Sequence, residues 1–66
     1  MKAHVNGVVE ELGEGTTLAA LIERRGAPPS GVAVAVNGDV VRRADWARTV
    51  LEDGAVVEVL TAVQGG

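Results

Sequence analysis

The residues of this chain best suited to chemistry stand together at its end, Ala62-Val63-Gln64-Gly65-Gly66. Neither Gly65 nor Gly66 has a Cβ, so this stretch can thread a narrow channel and bring a carboxylate against an activated phosphate. It can also swing from one active site to another. The expectation is that the Gly66 carboxylate is the working group. Val63, Gln64, Gly65 and Gly66 then form the segment that enters a partner's active site, and residues 62–66 are a flexible tail on a small rigid body.

The other candidate groups offer less. His4 is the one histidine, and there is no cysteine. A thiolate metal site is therefore excluded, and zinc held by carboxylates alone would be unusual. The absence of cysteine also removes any disulfide. The acidic residues fall mostly on turns and strand exteriors, with no thiol and no paired histidine to activate, so no acid–base or nucleophilic constellation forms. Gly13-Glu14-Gly15 is too short for a phosphate loop and has no following lysine. His4 reads as a strand-surface residue and Trp46 as a cap over a small core. Arg42 and Arg43, close to Trp46 in sequence, are solvated charges or a meeting point for an acidic partner.

Composition narrows the class. Sixty-six residues allow one small domain, 1–66, with a core of limited size. The formal net charge is −3, and the six basic residues are scattered, which argues against nucleic acid. With one Trp and no Phe or Tyr, there is no platform for stacking bases. No apolar run has membrane-spanning length, and Met1-Lys2-Ala3-His4 does not open a signal peptide. The expectation is a cytoplasmic protein, free of membrane and nucleic acid, and monomeric when unbound.

The elements that would hold the tail can be read in order. Met1 to Val5 alternates, with Met1, Ala3 and Val5 on one face, which predicts a strand. Asn6-Gly7 suits a tight type I′ turn, where both residues take positive φ. Val8 to Leu12 returns, with Leu12 inward. Gly13-Glu14-Gly15 breaks the strand, and Thr16 or Thr17 caps a helix whose apolar face is Leu18, Leu21 and Ile22. Arg24 and Arg25 favour its C-terminal end, Gly26 closes it, and Pro28-Pro29 follow. Val32 to Val36 is a strand with valines inward. Asn37-Gly38 is a second tight turn, and Val40-Val41-Arg42 comes back. Arg43 to Arg48 is a short irregular or 3₁₀ segment. Thr49 to Leu51 drops Leu51 inward, Glu52-Asp53-Gly54 turns, and Ala55 to Thr61 is the last strand. Glu58 faces water, Val57 and Val59 face the core, and Leu60 and Ala62 face outward as a candidate partner-contact surface. One helix on a mixed sheet of about five strands is an α+β domain.

With these residues in place, the whole chain resembles the ThiS sulfur carriers of thiamine biosynthesis, which are ubiquitin-like β-grasp proteins. The resemblance rests on Val5-Asn6-Gly7, on Gly15-Thr16-Thr17-Leu18 leading into Leu21 and Ile22, and on Gly31 to Gly38. It continues through Val41-Arg42-Arg43, Trp46 and Leu51, and closes with Asp53-Gly54 and Val63-Gln64-Gly65-Gly66. Ala3 is smaller, and Val8 and Val9 more apolar, than that family's usual pattern. The resemblance implies that a ThiF-like adenylating enzyme, using ATP and metal of its own, activates the Gly66 carboxylate. A persulfide donor protein then converts it to a thiocarboxylate, which gives sulfur to thiazole synthase. The chain itself would bind no cofactor and catalyse nothing. A chain without cysteine must carry such sulfur on its terminus.

Three rivals are separable. A molybdopterin synthase small-subunit-type carrier uses the same tail, but is usually longer and often Pro-rich before its Gly-Gly. A ubiquitin-like protein modifier would end in an isopeptide, and Lys2, the only lysine, leaves little room for chains. A plain interaction module would work without Gly66.

Overall fold

The structure, a computed structural model, describes residues 1–26 and 31–61. Strands β1 (Lys2–Val5) and β2 (Val8–Glu11) precede a helix, α1 (Leu18–Arg24). Strands β3 (Val32–Val36) and β4 (Asp39–Val41), a 3₁₀ helix (Arg43–Arg48) and strand β5 (Ala55–Thr61) follow. The described residues form a five-stranded sheet in the order β2-β1-β5-β3-β4. β1 and β5 run parallel, and every other pairing is antiparallel. The last strand therefore lies in the middle of the sheet, held on both sides.

Turn chemistry sets the register. Asn6 and Asn37 both sit at φ 51°, followed by Gly7 at 82° and Gly38 at 88°. Positive φ at both central residues closes a two-residue hairpin with the twist of its strands. The second turn makes Val36 and Asp39 direct partners. β4 consequently begins at Asp39 and ends at Val41, one residue earlier than the sequence suggests. Arg42, read above as strand, instead precedes the 3₁₀ helix in extended conformation.

Thr17 caps α1 by accepting a hydrogen bond from the Ala20 N–H at 3.2 Å. Thr16 does different work, donating to the Gly13 carbonyl at 2.6 Å. Gly26 at φ 68° follows the C-terminal end, and its N–H donates to the Glu23 carbonyl. The Pro28-Pro29 stop lies outside the described residues. Thr17→Ala removes one capping bond and should lower stability by about 1 kcal/mol, measured by urea unfolding. An unchanged midpoint would show the cap to be idle.

Leu18, Leu21 and Ile22 bury the helical face against Ala3, Val5, Val34 and Val57 of the sheet, with Leu12, Trp46, Leu51 and Ala55 completing the core. Ala3, smaller than the family pattern, is fully enclosed. Val32, Val36 and Val59 pack half-buried around this cluster. Trp46 closes one end, and its indole N–H donates to the Val41 carbonyl at 2.9 Å. Thr49 to Leu51 pairs with Thr16 to Leu18, where the chain enters α1: Leu18 N–H donates to the Thr49 carbonyl and Leu51 N–H to the Thr16 carbonyl. Among the described residues no buried side-chain polar atom lacks a partner.

Candidate functional site

β5 is the last described element, and residues 62–66 follow it in the sequence. Its inward side chains, Ala55 and Val57, are buried and Val59 half-buried, while Val56, Glu58 and Leu60 alternate outward. Leu60 is 66% exposed, as the alternation predicts. Ala62, Val63, Gln64, Gly65 and Gly66 lie outside the described residues.

Register shows what surrounds Leu60 on the face opposite α1. Side chains of directly paired residues share a face. His4 pairs with Val9 on one side and Val56 on the other. Ala35 pairs with Glu58 and Val40, and Ala33 pairs with Leu60. The outer face thus carries Val9, Val56, Val40 and Leu60, all well exposed, around His4, Glu58 and small alanines. The alanines keep the surface low beside Leu60. Gly31, Val32, Ala33, Leu60 and Thr61 line a hollow of about 310 Å³ at the end of the sheet where β5 finishes. Leu60 was legible from alternation along one strand. Val9, Val40 and Val56 were missed, because only the pairing of strands distant in sequence joins them.

Two asparagines hold this part of β5. The Asn37 side-chain oxygen accepts from the Val56 N–H at 2.9 Å. The Asn6 oxygen accepts from the Val59 N–H at 2.8 Å, and its amide donates to the Val59 carbonyl at 3.2 Å. The sequence marked both as turn residues, without this second role.

The charged groups are elsewhere. His4 is exposed on the sheet face. Arg25 donates to Glu10 at 2.6 Å, tying the end of α1 to β2. The Arg43 guanidinium lies 5.6 Å from the Trp46 ring centroid, within cation–π range. Arg48 pairs with Asp45. That hydrogen bond first, and the Arg48 charge second, hold the Asp45 carboxyl below its ordinary 3.8. Among the described residues no three His, Asp or Glu side chains gather where a metal could sit. No described helix is long and apolar enough to cross a membrane.

A helix laid across a mixed sheet whose first and last strands run parallel at its centre defines a ubiquitin-like β-grasp domain. Sequence takes the assignment further. The chain belongs to the ThiS family, whose model matches residues 2–66. It is 38% identical over all 66 residues to a thiazole synthase of Magnetococcus marinus, and spans only 20% of that protein's length. Its fold matches the crystal structure of a thiamine biosynthesis protein (ThiS) from Geobacter metallireducens with a TM-score of 0.83, at 29% identity, covering both chains fully. A solution structure of a thiamine biosynthesis protein from the same organism gives 0.81 at 29% identity, covering all of this chain and 88% of that one.

Proposed function

We propose that this chain carries sulfur for thiazole formation in thiamine synthesis, on the carboxyl group of Gly66. The observation that carries this reading is the ThiS family match, which runs through Gly65 and Gly66. The curated relative adds support. In a protein named thiazole synthase, a stretch resembling this chain makes up about a fifth of the length, which fits a partnership between carrier and synthase.

The chemistry divides into steps with the carrier as cosubstrate. A Gly66 carboxylate oxygen attacks the α-phosphorus of ATP in a ThiF-like adenylating enzyme, and pyrophosphate leaves. The product is a mixed anhydride with AMP as a good leaving group. The terminal sulfur of a persulfide on a donor protein attacks the carbonyl and expels AMP, giving an acyl disulfide. A thiol then takes the outer sulfur of that disulfide, leaving a thiocarboxylate on Gly66. Thiazole synthase accepts this sulfur, and the carboxylate returns. Throughout, the domain contributes position: β5 lies at the centre of the sheet ahead of the tail, and the outer face presents Leu60, with Ala62 proposed as a second contact residue. Val63 to Gly66 enter the active site.

Intact mass after thiol alkylation of natively expressed protein tests this. No cysteine competes for the reagent, so one adduct mapped to Gly66 identifies a thiocarboxylate. No adduct, even after incubation with ATP, the adenylating enzyme and a sulfur source, overturns the reading.

The contact face has its own test. Leu60→Asp places a charge on the outer face near the end of β5 without touching the core, since Leu60 is exposed. Fully burying a leucine contributes about 1.5–3 kcal/mol, so affinity for thiazole synthase, measured by titration calorimetry, should fall about tenfold or more. Unchanged affinity would mean that partners dock elsewhere.

A further inference from the structure

We propose that Asn37 is a site of spontaneous deamidation whose aspartate product the fold tolerates, and that the sheet protects the same dipeptide at Asn6 by the way it holds the side chain. The reaction needs only water and an Asn-Gly pair. The backbone nitrogen of the glycine gives up its proton and bonds to the asparagine Cγ. The side-chain amide leaves as ammonia, and a five-membered imide closes. Water then opens one carbonyl of the imide, which leaves aspartate or an isoaspartate whose backbone runs through Cγ. Glycine favours the attack because it has no Cβ to shield its nitrogen.

The two turns present the same nucleophile. Asn6-Gly7 and Asn37-Gly38 both follow a valine, and both asparagines are exposed at φ 51°. Open space surrounds Gly7 and Gly38, and among the described residues neither glycine N–H donates a hydrogen bond. The backbones are anchored alike: the Asn6 N–H donates to the Val57 carbonyl at 2.9 Å and the Asn37 N–H to the Val56 carbonyl at 2.7 Å. What differs is the carboxamide under attack. At Asn6 it is held twice, its oxygen by the Val59 N–H and its nitrogen by the Val59 carbonyl. At Asn37 it is held once, its oxygen by the Val56 N–H, and among the described residues its nitrogen donates to nothing.

To meet the glycine nitrogen, Cγ must swing away from β5, which breaks these bonds. One further bond to break slows the reaction at Asn6 by roughly two- to tenfold relative to Asn37. The products separate the two sites further. Aspartate at 37 still accepts from the Val56 N–H, now through a charge-assisted bond. Aspartate at 6 has no donor for the Val59 carbonyl, and a carboxylate oxygen takes the place of the amide nitrogen that lay 3.2 Å from it. Place in the sheet matters as well. Asn37 is bonded to Val56, next to the start of β5, whereas Asn6 is bonded to Val59, close to its end. Chemical ageing therefore falls on the end of the sheet away from Leu60 and Thr61.

The test holds the full natural chain at pH 8 and follows its tryptic peptides by mass over time. Cleavage after Lys2, Arg24, Arg25 and Arg42 puts Asn6 in residues 3–24 and Asn37 in residues 26–42, so each peptide carries one Asn-Gly pair. A deamidated peptide is recognised by a hydroxyl in place of an amide NH2. In the native chain the peptide with Asn37 should convert at least about twofold faster than the peptide with Asn6. In urea that unfolds the chain the two rates should converge, because both sites read Val-Asn-Gly. Equal rates in the native chain overturn the proposal. So does a preference that persists unchanged in urea, or an Asn37 that converts only when the chain is unfolded. The products are tested by urea unfolding of Asn37→Asp and Asn6→Asp. The first should keep the midpoint of the parent and the second should lower it, and equal midpoints overturn the claim that only position 37 tolerates aspartate. The rate comparison needs no variant, so it decides the question even if Asn6→Asp does not fold.

Discussion

A chain with Gly65→Val should fold as the parent does and lose adenylation by about a hundredfold or more. The expectation follows from where the substitution acts. Residue 65 follows β5 in the sequence, and among the described residues the hydrophobic core is built from none later than Val59. Helix, sheet and outer face are left alone, so docking affinity should change little. In the carrier reading proposed above, what should change is the last step, delivery of the Gly66 carboxylate to the α-phosphate. A near-attack geometry needs about 3–3.5 Å between reacting atoms, and a misplacement of about 1 Å can cost about a hundredfold in rate. In the carrier reading proposed above, Val63 to Gly66 thread a narrow channel of the partner, and a branched Cβ at residue 65 should displace the neighbouring carboxyl by about that much. ATP–pyrophosphate exchange with the adenylating enzyme reads the effect directly, and calorimetry reads docking. Exchange should collapse while the dissociation constant holds. A chain ending at Gly65 should likewise fail to rescue a strain lacking the carrier. Normal exchange with valine at 65, or rescue without Gly66, would remove the tail from the mechanism.

Much of the framework was legible because short-range chemistry dictates it. Asn-Gly pairs specify two-residue hairpins, and Thr17, Leu18, Leu21, Ile22 and Gly26 specify a capped amphipathic helix. Alternation along Ala55 to Thr61 correctly turned Val57 inward and Leu60 outward. Long-range pairing was not legible. Val8 and Val9 gave no facing, since two adjacent apolar residues do not alternate. Only the register of Val9 with His4 puts Val9 on the outer face. Val8 pairs with the buried Val5, yet stays 62% exposed on an edge strand. The Arg25–Glu10 pair joins residues from α1 and β2 that no local pattern connects. The bridge between Thr17 and Val50 is of the same kind. For the site, the types of Gly65 and Gly66 suggested a working carboxylate, on residues that lie outside those the structure describes. The apolar surface beside Leu60 needed the sheet order before its extent could be seen.

Asn6 is where local and long-range information meet, and replacing it should have the largest effect on stability of any exposed substitution considered. Its backbone takes φ 51° to close the first hairpin, and its N–H donates to the Val57 carbonyl at 2.9 Å. Its side chain then bonds both the N–H and the carbonyl of Val59. β1 ends at Val5, level with Val57, so the side chain continues the ladder toward the tail where no backbone of β1 remains. Asn6→Gly keeps the positive φ and removes only those two bonds, each contributing about 0.5–1.5 kcal/mol, so stability should fall by about 1–3 kcal/mol. Asn6→Ala removes the same bonds and forces an alanine into the left-handed region, which costs about 1–2 kcal/mol more. A domain of this size has roughly 3–10 kcal/mol to lose, so the alanine variant should lie near the edge of folding. Urea unfolding separates the two contributions. A glycine variant as stable as the parent would show the Val59 bonds to be idle, and equal glycine and alanine variants would show the turn to be unstrained. Hydrogen exchange places the effect. In the glycine variant the Val59 amide should lose protection while Val34, in the core of β3, keeps it. The last residues of β5 would then loosen before the rest of the sheet does, while the domain stays folded.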